Sequence, residues 1–464
     1  MTHGRVRLLT AVLVAVAALL VGACSENSTG NDTVTMSGTV TLEGQSDHSG
    51  ITVSIYRPVE LDPEIVAINQ EYPNIGVQIS QATEFDHRLE TPVKSTTTNA
   101  AGAWEIADVE PGTYNVVAEK AGYGWRYVVE QGGEESILQL ELKAEIVVGG
   151  VATGNVVWEE GQHVIVQADY EIPDGFGLSI GPGVTIRMGA NRSLTINGTI
   201  DLQSSVAKPV RFIPFAMGME WGNLTVENNR TNSFSNLLLI GGGIRVSNSS
   251  VTLENSCLKN ANNIAMRIVN GTLDISNCLF ENVFTGIQVS QSQLATINNC
   301  IFQNNSKDVS LVVSSSVQVA NNHFFDADEN LELIQSNAVV RHNLFQNSLQ
   351  NISVADVSVV RIEGNSFESS ESNIQNELVS HQGNDTVIEA TGNNFVNTSG
   401  FVFRITLGIE EQVSAPNNFW DVTDEFAISE KIQDGNDFPN SNIKFVEFRP
   451  FSLVRIDSAG INNN

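Results

Sequence analysis

Asn277-Cys278-Leu279-Phe280 is followed by Asn299-Cys300-Ile301-Phe302, by Asn322-His323-Phe324-Phe325 and by His342-Asn343-Leu344-Phe345. Gly364-Asn365-Ser366-Phe367, Asn393-Asn394-Phe395 and Asn417-Asn418-Phe419 continue the series. Read at Phe280, Phe302, Phe325, Phe345, Phe367, Phe395 and Phe419, the gaps are 22, 23, 20, 22, 28 and 24 residues. Short apolar runs between Asn-rich turns at a period near 22 predict a coil of strands, not helices. One such repeat buries little, and stacking builds a continuous apolar column. On this reading the phenylalanines form an internal stack. Cys257, Cys278 and Cys300, 21 and 22 residues apart, form a second column continued by His323 and Asn343. Three cysteines cannot all pair, so buried free thiols are expected, although the Cα separation of neighbouring coils is compatible with a disulfide.

The chain has 464 residues, with 24 Lys and Arg against 53 Asp and Glu, a net charge of −29. That balance argues against nucleic acid as a partner. Charged residues are only 17%, so Asn, Ser, Thr and Gln must build much of the surface, which favours strands and turns.

His3, Arg5 and Arg7 precede an apolar stretch, Leu8 to Leu20, that ends at Val21-Gly22-Ala23-Cys24. This resembles a bacterial lipobox, which implies cleavage before Cys24 and lipidation of Cys24 as the lipid anchor. Ser25 at the next position resembles the outer-membrane-sorted class. We therefore expect a signal peptide over residues 1–23, a tether over 24–34, and an outer-membrane lipoprotein of the bacterial envelope, its face left open.

Residues 35–142 alternate as half-buried strands, with turn chemistry at Asn99-Ala100-Ala101-Gly102 and Pro111-Gly112-Thr113-Tyr114, and Gly122-Tyr123 beyond. This stretch resembles the carboxypeptidase regulatory-like family, implying a prealbumin-like β-sandwich without peptidase chemistry. Between Arg57 and Lys94 it departs from the family, with an insertion expected as a long loop or extra strands. Trp104, Tyr114, Trp125 and Tyr127 are expected to fill or edge the sandwich core, with a sugar-stacking face as the alternative.

Residues 145–452 resemble a right-handed, single-stranded parallel β-helix of the pectin-lyase-like kind with a C-terminal cap, leaving 453–464 as a tail. The fold class is thus all-β. At roughly 22 residues per coil, ~12–13 coils make a rod on the order of 60 Å long.

Candidate sites lie on the flanks of the rod. The residues after the phenylalanines are Glu281, Gln303, Asp326, Gln346 and Glu368, placing the carboxylates of Glu281, Asp326 and Glu368 two coils apart, roughly 9–10 Å. This is at the upper edge of an inverting glycosidase pair. Spacing of like charges by amides explains the same pattern without catalysis. Arg245 and Arg267 share a phase that Gln288 continues, and Arg341 and Arg361 each follow Val-Val. Flanking acids are expected to neutralise them, with a carboxylated or sulfated sugar as the alternative. Asp326-Ala327-Asp328-Glu329-Asn330 and Asp434-Gly435-Asn436-Asp437 carry oxygen ligands suited to Ca²⁺, but solvated turns are the expectation, and no metal or cofactor is assigned. The expected function is a non-catalytic, membrane-tethered rod for carbohydrate binding or adhesion. A polysaccharide lyase or glycosidase with its site on a flank, and a structural coat component, are the alternatives.

Overall fold

A computed structural model describes residues 33–132, 138–377, 386–405, 413–439 and 443–462. Cys24 lies outside the described residues.

The C-terminal part is a right-handed parallel β-solenoid of about 11 turns, slightly fewer than the repeat length suggests. The coil beginning at Cys300 shows the pattern. Strands Ile301–Gln303, Lys307–Val312 and Val317–Ala320 end in turns with left-handed residues: Asn304 (φ 53°) after the first, Val313 (φ 51°) and Ser316 (φ 54°) after the second, and Asn321 (φ 54°) after the third. The same corner recurs at Asn255, Asn277, Asn299, Asn321 and His342, then at Gly364, Gly392 and Asn417. Asn and Gly tolerate this conformation, which is why the turns are Asn-rich.

Two columns run through the interior among stacked aliphatic side chains. Phe280, Phe302, Phe324, Phe345, Phe367 and Phe395 stack with centroids 4.8–5.2 Å apart. Trp420 closes the stack, 5.3 Å from Phe395. These centroid distances match the strand spacing of about 4.7–4.9 Å, so each ring meets its equivalent in the next coil. The second column runs Cys278, Cys300, Asn322, Asn343, Asn365, Asn393 and Asn418, all fully buried. Each asparagine from 343 onward accepts, through Oδ1, the backbone N–H of the preceding member at 2.8–2.9 Å. Each of these also accepts the preceding side-chain amide at 3.0 Å. A buried polar group is tolerable when so satisfied.

These columns correct the sequence phase at four positions. Phe324, not Phe325, occupies the stack, and Trp420, not Phe419, ends it. Asn322, not His323, follows Cys300, while His323 pairs with Ile301 on the outer face. Cys257 pairs with Leu279, one position out of register with Cys278, and therefore faces outward. A shift of one residue reverses the face of a strand. All three thiols are free and buried.

The N-terminal part folds as two facing sheets, consistent with a β-sandwich. Strands Ala103–Val109, Val34–Leu42 and Leu138–Leu142 form one sheet, and Lys94–Thr97, Thr52–Tyr56, Thr113–Glu119 and Arg126–Gly132 form the other. Trp104 and Tyr114 are core residues, at 4% and 0% exposure, whereas Trp125 and Tyr127 are half-buried and face the solenoid.

The insertion is neither loop nor strand. It forms helices Pro63–Glu71 and Gln81–Glu84 and a 3₁₀ turn at His87–Leu89. Asp62 caps the first helix, accepting from the N–H groups of Glu64 and Ile65, and Pro63 sits in its first turn, where a missing N–H costs nothing. Ile65, Ile68, Ile75 and Ile79 pack on the outward residues Leu238, Cys257, Leu279, Ile301 and Phe325. The insertion is thus a strap over one outer face of the rod. The C-terminal segment returns over the same face further along. Gly460 N–H donates to Gly364 C=O at 2.8 Å, and Ile456 exchanges two 2.9 Å hydrogen bonds with the Asn394 amide.

Candidate functional site

Glu281 and Glu368 share an outward column, but the residue between Gln303 and Gln346 is Phe325. Asp326 instead takes the left-handed corner, with φ 57°. The two remaining carboxylates stand four coils apart, roughly 19 Å, well beyond an inverting pair. Each is engaged. Lys259 Nζ lies 2.9 Å from Glu281 and 2.7 Å from Glu84 of the strap, a nearly buried cation held by two acids. The acids raise the Lys259 pKa against the burial that lowers it. Glu368 pairs with Arg455 of the returning segment.

Arg245 and Arg267 are in-register neighbours, continued by Gln288, Ser310 and Glu332. Neither has a carboxylate partner among the described residues, so the expected neutralisation is absent there. The cause is visible in the column: Glu332 is three coils beyond Arg267 and lies 2.6 Å from Lys307. Burial, and then Arg267, push the Arg245 guanidinium below its usual range. Arg341 and Arg361 do not stack. Arg361 lies opposite Val339, and Arg341 opposite Glu363. The 20-residue gap is two short of the coil, which keeps the face but displaces the side chain along the strand. Arg361 pairs with Glu389 at 2.8 Å.

The acidic turn 434–437 is spent internally. Asp434 accepts from the N–H groups of Asn436 and Val446, and Asp437 accepts from that of Asp434. Among the described residues no group of three His, Cys, Asp or Glu side chains is arranged to hold a metal ion.

Three clefts follow from the strap and the docked sandwich. A slot of about 560 Å³ opens between the strap and the solenoid corner. Its solenoid wall is Asn236, Asn255, Asn277 and Asn299, and its strap wall includes Asn74, Gln78, Ser80 and Thr83. Leu237, Leu238, Val77, Val206 and Pro209 supply the apolar lining, and among the described residues no acidic or basic side chain lines it. The slot is pre-formed: Gly76 N–H donates to Asn299 C=O at 2.8 Å, and a Cβ at Gly76 would lie 2.4 Å from Ile301. Asn277 Oδ1 is buried in the fold without a hydrogen-bond partner among the described residues. A cleft of about 540 Å³ lies beside Glu368, Arg455, Tyr72 and Glu71. Burial and Glu71 push the Tyr72 phenol up to about 12. The third cleft, at the sandwich–solenoid junction, measures about 350 Å³. The sequence does not mark the corner asparagines as a site, because turn chemistry alone accounts for Asn at such corners. Their recurrence at 19, 22 and 22 residues was the available signal.

A family model described as right handed beta helix region matches residues 242–403. No curated protein matches the chain. Among solved structures, the chain is similar to a chain of a type II cohesin–X-dockerin complex, an N-terminal interface mutant, from Acetivibrio cellulolyticus. The identity is 19%, covering 24% of this chain and 58% of that one, with a TM-score of 0.16. The match thus spans less than two thirds of that chain.

Proposed function

We propose that this protein is a lipid-anchored bacterial envelope protein whose non-catalytic solenoid rod binds neutral stretches of carbohydrate. The observation that carries this reading is the strap slot, a pre-formed cleft lined by amides, hydroxyls and apolar groups on a chain of net charge −29. Sugar hydroxyls both donate and accept, and side-chain amides offer both complements. The spacing and pairing of Glu281 and Glu368 weigh toward binding over hydrolysis. Arg245 and Arg267 are proposed as a secondary contact for an anionic substituent. In this reading Cys24 carries the lipid, the outer membrane is the site of anchoring, and the sandwich, of the regulatory-like kind, is a spacer.

The test is affinity electrophoresis of the chain in gels containing neutral or acidic polysaccharides, with product sizing in parallel. Retention by a neutral polysaccharide that weakens at least about tenfold in Asn277→Ala and Gln78→Ala is expected. Chain shortening, or retention indifferent to both substitutions, would overturn the reading. Palmitate labelling of cells should mark the protein and be lost in Cys24→Ala.

A further inference from the structure

The junction cleft has the opposite character to the slot. Of the 24 basic residues in this acidic chain, Arg88, Arg126, Arg187, Lys208 and Arg211 gather where the sandwich meets the first coils. Three are matched by acids: Arg88 by Asp86 at 2.6 Å, Arg187 by Glu145 at 2.7 Å, and Lys208 by Glu160 at 2.5 Å. Arg126 and Arg211 have no ion-pair partner within 4 Å among the described residues, and both line the cleft together with the Lys208-paired Glu160, whose carboxyl Arg126 also helps to hold low.

The cleft is built around these two guanidiniums. Arg211 lies over the Tyr127 ring, 5.1 Å from its centroid, and donates one N–H to Ala82 C=O at 2.8 Å. Arg126 lies against Gly161, where a Cβ would sit 2.0 Å from its Nη1. Trp125 packs edge-on to His163 at 4.6 Å. Two further polar atoms are stranded at the site. Tyr127 Oη and His163 Nδ1 are buried without hydrogen-bond partners among the described residues, and His163 is only 3% exposed. Burial, then Arg187 and Arg126, hold His163 neutral, down to about 3, against a ring hydrogen bond to the Trp125 backbone that acts the other way. Leaving two cations and two polar atoms unmatched in a partly desolvated cleft is costly.

We propose that this junction cleft binds a carboxylate carried on a hydroxylated six-membered ring. Arg126 and Arg211 flank the carboxylate, and Tyr127 Oη donates a third hydrogen bond. His163 Nδ1 partners a ring hydroxyl, and Val128, Leu140 and Pro182 supply the apolar lining against the ring. Guanidinium groups are suited to carboxylates by their fork geometry. At about 350 Å³ the cleft is within the ~300–1,000 Å³ range of small-molecule sites. A sugar acid and a hydroxylated carbocyclic acid share this chemistry. The site is separate from the strap slot, and its ligand is charged where that of the slot is neutral.

The test is titration calorimetry on the full chain with glucuronate, quinate, glucose, benzoate and inorganic phosphate. Saturable binding of glucuronate or quinate is expected, and which binds tighter identifies the source. Glucose should not bind at this site, and benzoate should bind at least tenfold more weakly. Arg126→Gln and Tyr127→Phe, neither of which removes a hydrogen bond made within the fold, should each weaken binding about tenfold or more. Arg211→Gln should do the same, with its melting temperature recorded because the Ala82 contact is also lost. No binding of either hydroxy acid, phosphate binding as tightly, or affinity unchanged in Arg126→Gln would each overturn the proposal.

Discussion

Asp308 and Asn330 occupy adjacent coils in the sealed interior of the solenoid, and Asn330 Nδ2 donates to Asp308 Oδ2 at 2.7 Å. Asn305 Nδ2 donates to the other carboxylate oxygen at 2.8 Å. No cation pairs with this fully buried acid among the described residues. Burial dominates over the two amide donors and pushes the carboxyl up to about 7.

The sign of the pH effect follows. The unfolded chain titrates this group near 3.9, so between roughly pH 4 and pH 7 the native state holds the extra proton. The stability that Asp308 permits is fully present below about pH 4 and is lost as pH rises toward 7. Asp308→Asn should therefore stabilise the solenoid at pH 8, by on the order of 2–4 kcal/mol, and have little effect at pH 4. The replacement amide has a partner, because Asn330 Oδ1 is buried without one among the described residues and a flip of Asn330 would present it. Urea unfolding at both pH values measures this. Equal effects at both would show that the buried carboxyl is not the cause.

The phase of the phenylalanine column gives a second prediction. Phe324 stacks 4.8 Å from Phe302 inside the rod, whereas Phe325 lies outside, between Gln303 and Gln346 in its column and against the strap. Phe324→Ala should cost about 3–5 kcal/mol by opening a cavity in a stack that cannot collapse. Phe325→Gln, which continues the amides on either side, should cost about 1–2 kcal/mol from lost strap contact. Circular dichroism in urea separates the two. The reverse order would restore the phase read from the 23- and 20-residue gaps.

That phase error marks where legibility ended. The period and the Asn-rich corners announce a solenoid because each coil repeats its own local chemistry. The tetrad Asn322-His323-Phe324-Phe325 offers two aromatic residues to one stack, and only the interlocked amide of Asn322 decides between them. The strap was illegible for a different reason. Its helix shows just Ile65 and Ile68 as buried apolar residues, and the surface they cover comes from strands about 170–260 positions later. Glu84 and Lys259 are likewise partners 175 residues apart. Arg126 and Arg211 meet only because the sandwich docks on the first coils, a relation that neither repeat spacing nor motif encodes.

The strap supplies the last prediction, read through the cysteines. Cys257 faces outward beneath the strap, in the wall of the slot with Val77 and Ser80, and burial pushes its thiol up to about 12. Cys278 and Cys300 lie inside the coil, fully buried, and each donates to a backbone carbonyl at 3.2 Å. Burial dominates in holding Cys278 well above the ordinary thiol range. Two kinds of opening should therefore expose them. Undocking the strap frees Cys257 alone, while the other two require the coil to unfold. Ile68→Asp places a charge in the apolar contact and should undock the strap without melting the rod. Alkylation mapped by mass spectrometry should then show Cys257 labelled roughly 10- to 100-fold faster than in the parent chain, with Cys278 and Cys300 unchanged. Parallel acceleration at all three would mean that strap and coil unfold as one unit, and that the strap is part of the core and not a cover laid over it.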